Sequence, residues 1–171
     1  MVMLTTLLLI TLAAAGQHPA MPPGMTHEEH QAQMKKDAEL KARGEAAMGF
    51  DQDATTHHFR LTAKGGAIDV SVNDAKDEAN RTQIRAHLKE IAAQFSAGDF
   101  GKPVATHAET PPGADVMRKL HADITYAFEE SAAGGRVRIS TGNPKALAAV
   151  HDFLRYQIRE HATGDPLTVQ R

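Results

Sequence analysis

Residues 57–73, HHFRLTAKGGAIDVSVN, alternate apolar and polar side chains on both sides of Gly65 and Gly66. This pattern predicts a β-hairpin, because alternation turns one side of each strand towards a core and a glycine pair suits the turn between them. Residues 122–141, ADITYAFEESAAGGRVRIST, repeat the pattern around Gly134 and Gly135. The chain is therefore predicted to contain two hairpins of the same design.

A helix is predicted after each hairpin. The first runs from about Ala75 to Phe95, and the second begins with Asn143 as N-cap and Pro144 at the first helical position and ends near His161. Each helix has one apolar stripe, which needs a sheet face to cover it. The stripes consist of Ile84, Leu88, Ile91 and Phe95 in the first helix and of Leu147, Val150, Leu154 and Ile158 in the second.

The two ββα units predict an α+β domain with two layers. Its sheet has four antiparallel strands, with both helices on one face and the other face polar and wet. Residues 96–121 connect the units and contain the turn Pro111–Pro112–Gly113 and a short helix from Ala114 to His121. The sequence leaves open the order of the strands and whether a homodimer covers the polar face.

The N-terminal region has a different composition from the rest. Residues 1–16, MVMLTTLLLITLAAAG, predict a cleaved signal peptide, because the apolar run is short for a membrane span and ends in small alanines. Residues 17–49 form a His/Met-rich leader and a polar helix, which a capping box at Thr26 and Glu29 begins and Gly49 ends. The α+β domain is assigned to residues 50–166 and a tail to residues 167–171. We therefore expect a periplasmic or secreted protein.

Composition and motifs argue against several functions. A formal net charge of −2 gives no basic field for nucleic acid, and no second apolar stretch predicts a membrane span after cleavage. With no cysteine there is neither a disulfide nor a thiolate metal site. No Gly-x-Ser-x-Gly elbow, His-Glu-x-x-His motif or phosphate-binding loop is present, so no enzyme class is predicted.

The ten histidines indicate metal binding. Imidazole and thioether ligands together suit copper, Cu(I) especially, and zinc is the second choice. His27, His30 and Met34 would share one face of the polar helix, because they are spaced by three and four residues. The candidate ligands in the leader are Met21, Met25, His27, His30 and Met34. The alternative is that these residues belong to a solvated segment without a fixed site.

A second group of histidines lies inside the predicted domain. His57 is on the apolar side of the first strand, while His87, His151 and His161 lie on the helix stripes. The candidate ligands here are His57, His58, His87, His151 and His161, with Asp51, Asp53 or Glu160 as outer-shell partners. His58 points to the polar face and would join only at a distorted strand end. The alternative is that each ring is hydrogen-bonded separately, and His107 and His121 are predicted to be solvated.

Four stretches carry a resemblance to known proteins. Residues 48–52 (MGFDQ), 55–59 (TTHHF), 98–100 (GDF) and 153–166 (FLRYQIREHATGDP) resemble an uncharacterised group of small bacterial proteins, many of them exported. The resemblance covers about residues 43–166, implies a shared fold without a mechanism, and places His57, His58 and His161 within the group's motifs. Some members are labelled aspartate carbamoyltransferase, which this chain does not support, because it lacks the Ser-Thr-Arg-Thr-Arg phosphate loop.

These patterns together predict an exported protein that binds a transition-metal ion, with copper first, for buffering or delivery rather than catalysis. The first alternative is a metal-free periplasmic module that binds a small ligand or another protein through its polar sheet face, and the second is a hydrolase whose site matches no recognised motif.

Overall fold

The structure, a computed structural model, describes residues 23–170. The predicted signal peptide over residues 1–16 and the candidate ligand Met21 lie outside the described residues. The helices are α1 (His27–Met48), α2 (Glu78–Ser96), α3 (Gly101–His107), α4 (Ala114–Lys119) and α5 (Pro144–Glu160), with a 3₁₀ turn at His121–Asp123. The strands are β1 (Thr55–Thr62), β2 (Gly65–Val72), β3 (Ile124–Ser131) and β4 (Gly134–Thr141).

The four strands form one antiparallel sheet in the order β1-β2-β4-β3. The two hairpins meet through their second strands, so that Ile68 of β2 lies opposite Val137 of β4. Both side chains point into the core. The predicted α+β fold is therefore confirmed, and the strand order that the sequence left open is now assigned.

The two long helices cover the sheet in an exchanged arrangement. Although α2 follows the β1–β2 hairpin, it packs mainly on β3 and β4, and α5 packs mainly on β1 and β2. The helix of each ββα unit thus buries its apolar stripe on the hairpin of the other unit. The most deeply buried side chains of this shared core include Leu61, Ile84, Leu88, Phe95, Val137, Ile139, Val150 and Leu154.

Side-chain caps explain where the helices begin. The Asn143 side chain accepts hydrogen bonds from the next two free N–H groups of α5, and Pro144 occupies the first turn as predicted. In α2 the cap is Asp77, which accepts from the Asn80 N–H at 3.0 Å, so the helix starts three residues later than the predicted Ala75. At α1, Thr26 and Glu29 form the predicted capping box.

The segment between the units contains a helix that the sequence did not predict. The chain turns at Gly98, where φ is +76°, and α3 follows. Phe100, just before α3, anchors this segment by stacking on Phe95 with ring centroids 4.4 Å apart. This placement puts the end of α3, with His107, against the core.

Apart from the two ββα units, the chain divides into two compact parts, which we call the first and second unit, with the boundary between Lys35 and Lys36. In the first unit, the described residues include the start of α1.

The sheet face that no helix covers is polar, and its charged side chains form ion pairs: Arg60 and Arg136 both contact Asp69, and the Arg138 Nε donates to Glu129 at 2.7 Å. Over residues 23–170 no helix has the length and apolar character needed to cross a membrane.

Candidate functional site

A cavity of about 70 Å³ lies between the sheet and helices α2, α3 and α5. Apolar side chains of the core, among them Phe59, Leu88 and Phe153, form much of its wall, and Met48 at the end of α1 contributes a thioether. Its polar lining consists of His57, His87, Lys102, Thr106, His107, Gln157 and His161. Four of the ten histidines therefore line one small space.

Three imidazoles from three elements are direct neighbours in this cavity. The ring centroids of His57, on β1, and His161, just after α5, are 6.0 Å apart with nearly parallel planes. The ring of His107, at the end of α3, is 5.2 Å from that of His161 and nearly perpendicular to it. We call His57, His107 and His161 the imidazole cluster.

His87 lines the cavity beside the imidazole cluster. The Phe50 ring lies 5.7 Å from the His57 ring and 5.6 Å from the His87 ring, between centroids. Phe50 thus contacts both histidines, and it follows the Gly49 that ends α1. The phenyl ring adds apolar surroundings to both imidazoles.

Burial keeps these imidazoles neutral. Desolvation lowers the pKa of His57 to about 4, with a further contribution from neighbouring His58. It also lowers the pKa of His87 to about 4, helped by Lys102, and that of His161 to about 3, helped by His57 and His107. The pKa of His107 is lowered by burial as well. At neutral pH every ring of the cavity therefore offers a nitrogen lone pair.

Two buried ring nitrogens in the cluster have no hydrogen-bond partner in the protein. They are His57 Nε2 and His107 Nδ1, and the Gln157 Nε2 amide is unpartnered too. The other nitrogen of His107, Nε2, lies 3.0 Å from Gln157 Oε1. An amide oxygen only accepts, so His107 Nε2 carries the proton and Nδ1 the lone pair. Buried, unpaired polar atoms are uncommon in folded proteins and indicate a ligand, ion or water.

The candidate histidines of the domain divide into two groups. His57, His87 and His161 line the cavity, whereas His151 does not. The His151 Nε2 donates to the carbonyl oxygens of Thr62 and Gly65, at 2.9 and 3.0 Å, and so fastens α5 to the first hairpin turn. His58 is on the opposite side of β1, where its Nδ1 contacts Asp165 at 2.9 Å.

The surroundings of the cluster differ from those predicted. The expected outer-shell carboxylates bind elsewhere: Asp53 contacts Lys41, Glu160 contacts Lys36 at 3.2 Å, and Asp51 accepts from a backbone N–H. The prediction that His107 is solvated is wrong, because α3 carries its ring into the core. The side chain that hydrogen-bonds the cluster is instead Gln157, which the spacing of four residues to both Phe153 and His161 on one helix face could have identified.

The described candidate ligands of the leader lie in the first two turns of α1 or just before it. His27 and His30 lie in the first turn of α1, where His27 Nε2 contacts the Gln31 side chain at 3.0 Å. Met34 is exposed, while Met25 and His30 are half-buried. Across the described residues, no three His, Asp or Glu side chains are arranged to hold a metal ion.

Comparisons of the chain with known protein families, with curated proteins and with solved structures found no match. The resemblance to a group of small exported bacterial proteins therefore stays a prediction from the quoted motifs.

Proposed function

We propose that the protein binds a transition-metal ion, copper foremost, in the cavity of the imidazole cluster, for buffering or delivery rather than catalysis. The observation that supports this most directly is the pair of buried, unpartnered nitrogens, His57 Nε2 and His107 Nδ1, on residues that line one cavity. Both rings are neutral at pH 7, so a cation need not displace a proton to bind them.

The size of the cavity favours an ion over an organic ligand. A cavity that admits benzene measures about 150 Å³, and one water in the liquid takes about 30 Å³. At about 70 Å³, this cavity is less than half the benzene example. It suits an ion with a little water, and an aromatic ligand would require the core to open.

The donor set favours Cu(I) over zinc. Structural zinc sites use four ligands in a tetrahedron, and the described residues contain no group of three His, Asp or Glu arranged for an ion. Soft thioether ligands select Cu(I), which also accepts imidazole and needs a smaller ligand set. His57, His107 and Met48 would supply such a set, since all three line the cavity. Gln157 would hold the His107 tautomer, as outer-shell partners of metal ligands do.

The proposal extends to the cellular location and to the leader. An exported copper protein is consistent with the signal-peptide pattern of residues 1–16. The leader would make first contact with the ion before the cavity takes it. Its candidate ligands are Met21, Met25, His27, His30 and Met34.

Titration of the purified chain with Cu(I), without oxygen and against a chromophoric Cu(I) chelator, tests the proposal. We expect tight binding by the wild type and weaker binding by His57→Phe and by His107→Phe. Each change removes one unpartnered nitrogen and leaves a phenyl ring in place of the imidazole. The control is His121→Gln, since His121 lies outside the cavity and contacts the Ser96 carbonyl. A wild-type chain that does not compete with the chelator, or equal affinities of the three variants, would overturn the proposal.

A metal-free binding module is the second candidate. It is favoured by the apolar part of the cavity wall and by the missing three-ligand group within the described chain. A bound ion stabilises the folded state by mass action, whereas a metal-free module keeps its melting temperature when copper or zinc is added. Elemental analysis of protein purified from its native cells separates the two candidates directly.

A further inference from the structure

The Asp165 carboxylate connects strand β1 to the segment that follows α5. Its Oδ2 accepts from the Phe59 N–H at 2.9 Å and from the Thr163 hydroxyl at 2.7 Å, and its Oδ1 contacts His58 Nδ1 at 2.9 Å. A carboxylate only accepts, so the His58 Nδ1 carries a proton and donates it. We call these three hydrogen bonds the Asp165 clamp.

The Asp165 carboxylate is largely buried, and both of its oxygens have hydrogen-bond partners. The Asp165 side chain is 10% exposed, whereas that of Asp152, also near the end of the chain, is 60% exposed. Burial raises the pKa of Asp165, but hydrogen bonds from Thr163, the Phe59 N–H and His58 outweigh this and hold it below its usual value. The carboxylate is thus ionised at neutral pH, and hydrogen bonds to an ionised group are the stronger kind.

Both ends of the clamp adjoin the imidazole cluster. On β1, the clamped residues His58 and Phe59 follow His57 directly. After α5, His161 lies four residues before Asp165, and the chain turns back between them at Ala162 and Gly164, which both have positive φ. The clamp therefore fixes the two backbone segments whose rings, those of His57 and His161, stand 6.0 Å apart in the cavity.

We infer that Asp165 is a positioning residue of the cavity: it holds the ring of His57, a proposed ligand, beside that of His161, which in turn contacts the ring of His107, the other proposed imidazole ligand. The role in binding rests on the proposed function, and the role in geometry does not. Asp165 lines no part of the cavity itself. It acts through β1 on one ring and through the turn after α5 on the other.

The test measures Cu(I) affinity of the full chain carrying Asp165→Asn, by the same chelator competition. An asparagine keeps the shape but loses the charge and one acceptor oxygen. We expect affinity to fall by about 10-fold, the lower end of the range for groups that hydrogen-bond a metal ligand directly, because Asp165 acts through the backbone. The matched control is Asp152→Asn, which removes the same charge from an exposed aspartate that contacts Arg155 on the same helix, and its affinity should stay within about twofold of wild type. Equal affinities of wild type and Asp165→Asn would overturn the inference.

A second readout separates this inference from the proposed function. In the metal-free protein, nuclear Overhauser contacts between the His57 and His161 rings report their separation directly. We expect them in wild type and Asp152→Asn and expect their loss in Asp165→Asn; their retention would overturn the inference. If wild type binds no copper, the proposed function fails and the ring contacts alone decide the inference. If Asp165→Asn does not fold, Thr163→Val replaces it, because this change removes one hydrogen bond of the clamp. It should weaken both the Cu(I) affinity and the contacts between the two rings. If both stay as in wild type, the inference is overturned.

Discussion

Acid is expected to destabilise this protein through its buried imidazoles. Burial lowers the folded-state pKa of His57 and His87 to about 4 and that of His161 to about 3, against about 6.5 in an unfolded chain. The unfolded chain therefore takes up protons first. The stability that depends on these neutral rings is complete above pH 6.5 and is lost as the pH falls towards the folded pKa values.

The magnitude follows from the size of the shifts. Each ring that stays neutral while its unfolded counterpart is charged costs about 1.4 kcal/mol per pH unit, hence roughly 2.7 kcal/mol at about pH 4.5. Three independent rings would cost roughly 8 kcal/mol, an upper value because His57 and His161 interact. Small domains have a free energy of unfolding of about 5 to 15 kcal/mol. We therefore expect acid to remove a large part of the free energy of unfolding by about pH 4.5.

Urea denaturation followed by circular dichroism, at several pH values between about 7.5 and 4.5, measures this effect. Carboxylates with a lowered pKa, such as Asp165, lose their contribution only as the pH falls below about 4, outside this window. His87→Phe removes one titrating ring and should reduce the pH dependence by about a third. A free energy of unfolding that stays constant from about pH 7.5 to about pH 5 would refute the reasoning.

Three substitutions test the packing and the caps. Leu154→Ala should lower the free energy of unfolding by about 2 to 5 kcal/mol, measured by urea denaturation, because Leu154 is fully buried; a loss below 1 kcal/mol would contradict its central position. Asn143→Ala should cost about 0.5 to 2 kcal/mol by removing the cap of α5, and no change would show that the cap is not formed. Gly134→Ala should lower the melting temperature strongly, because its Cβ would lie 2.1 Å from the Val70 carbonyl oxygen, whereas Gly142→Ala has open space around it; equal melting temperatures would contradict the β2–β4 pairing.

Local patterns predicted the elements of the fold because each pattern has a local physical cause. The Asn143–Pro144 pair marks the start of α5 through a cap and a fixed φ, and the glycine pairs mark the hairpin turns. The sequence pattern did not predict the strand order, because alternation along a strand does not indicate which other strand pairs with that strand. Segment α3 was missed because Gly101 and Pro103, near its start, are typical of a turn.

The sequence predicted part of the candidate site and missed the rest. Periodicity placed His57, His87 and His161 on buried faces, since a face follows from spacing alone. His107 has no such pattern around it, and its burial depends on the docking of α3. The lone pair at His107 Nδ1 depends on the tautomer that Gln157 selects, which is a property of tertiary structure.

The exchange of helices between the two hairpins means that neither half of this chain contains a complete core of its own. A fragment that ends before α4 keeps β1, β2 and α2, but the surface on which α2 rests belongs to the missing half. Each fragment made separately should be largely unfolded, and mixing the two should restore helix and strand signals together. A single ββα unit of this design would be stable only when paired with a second copy, so the present molecule has the geometry of two such copies joined in one polypeptide.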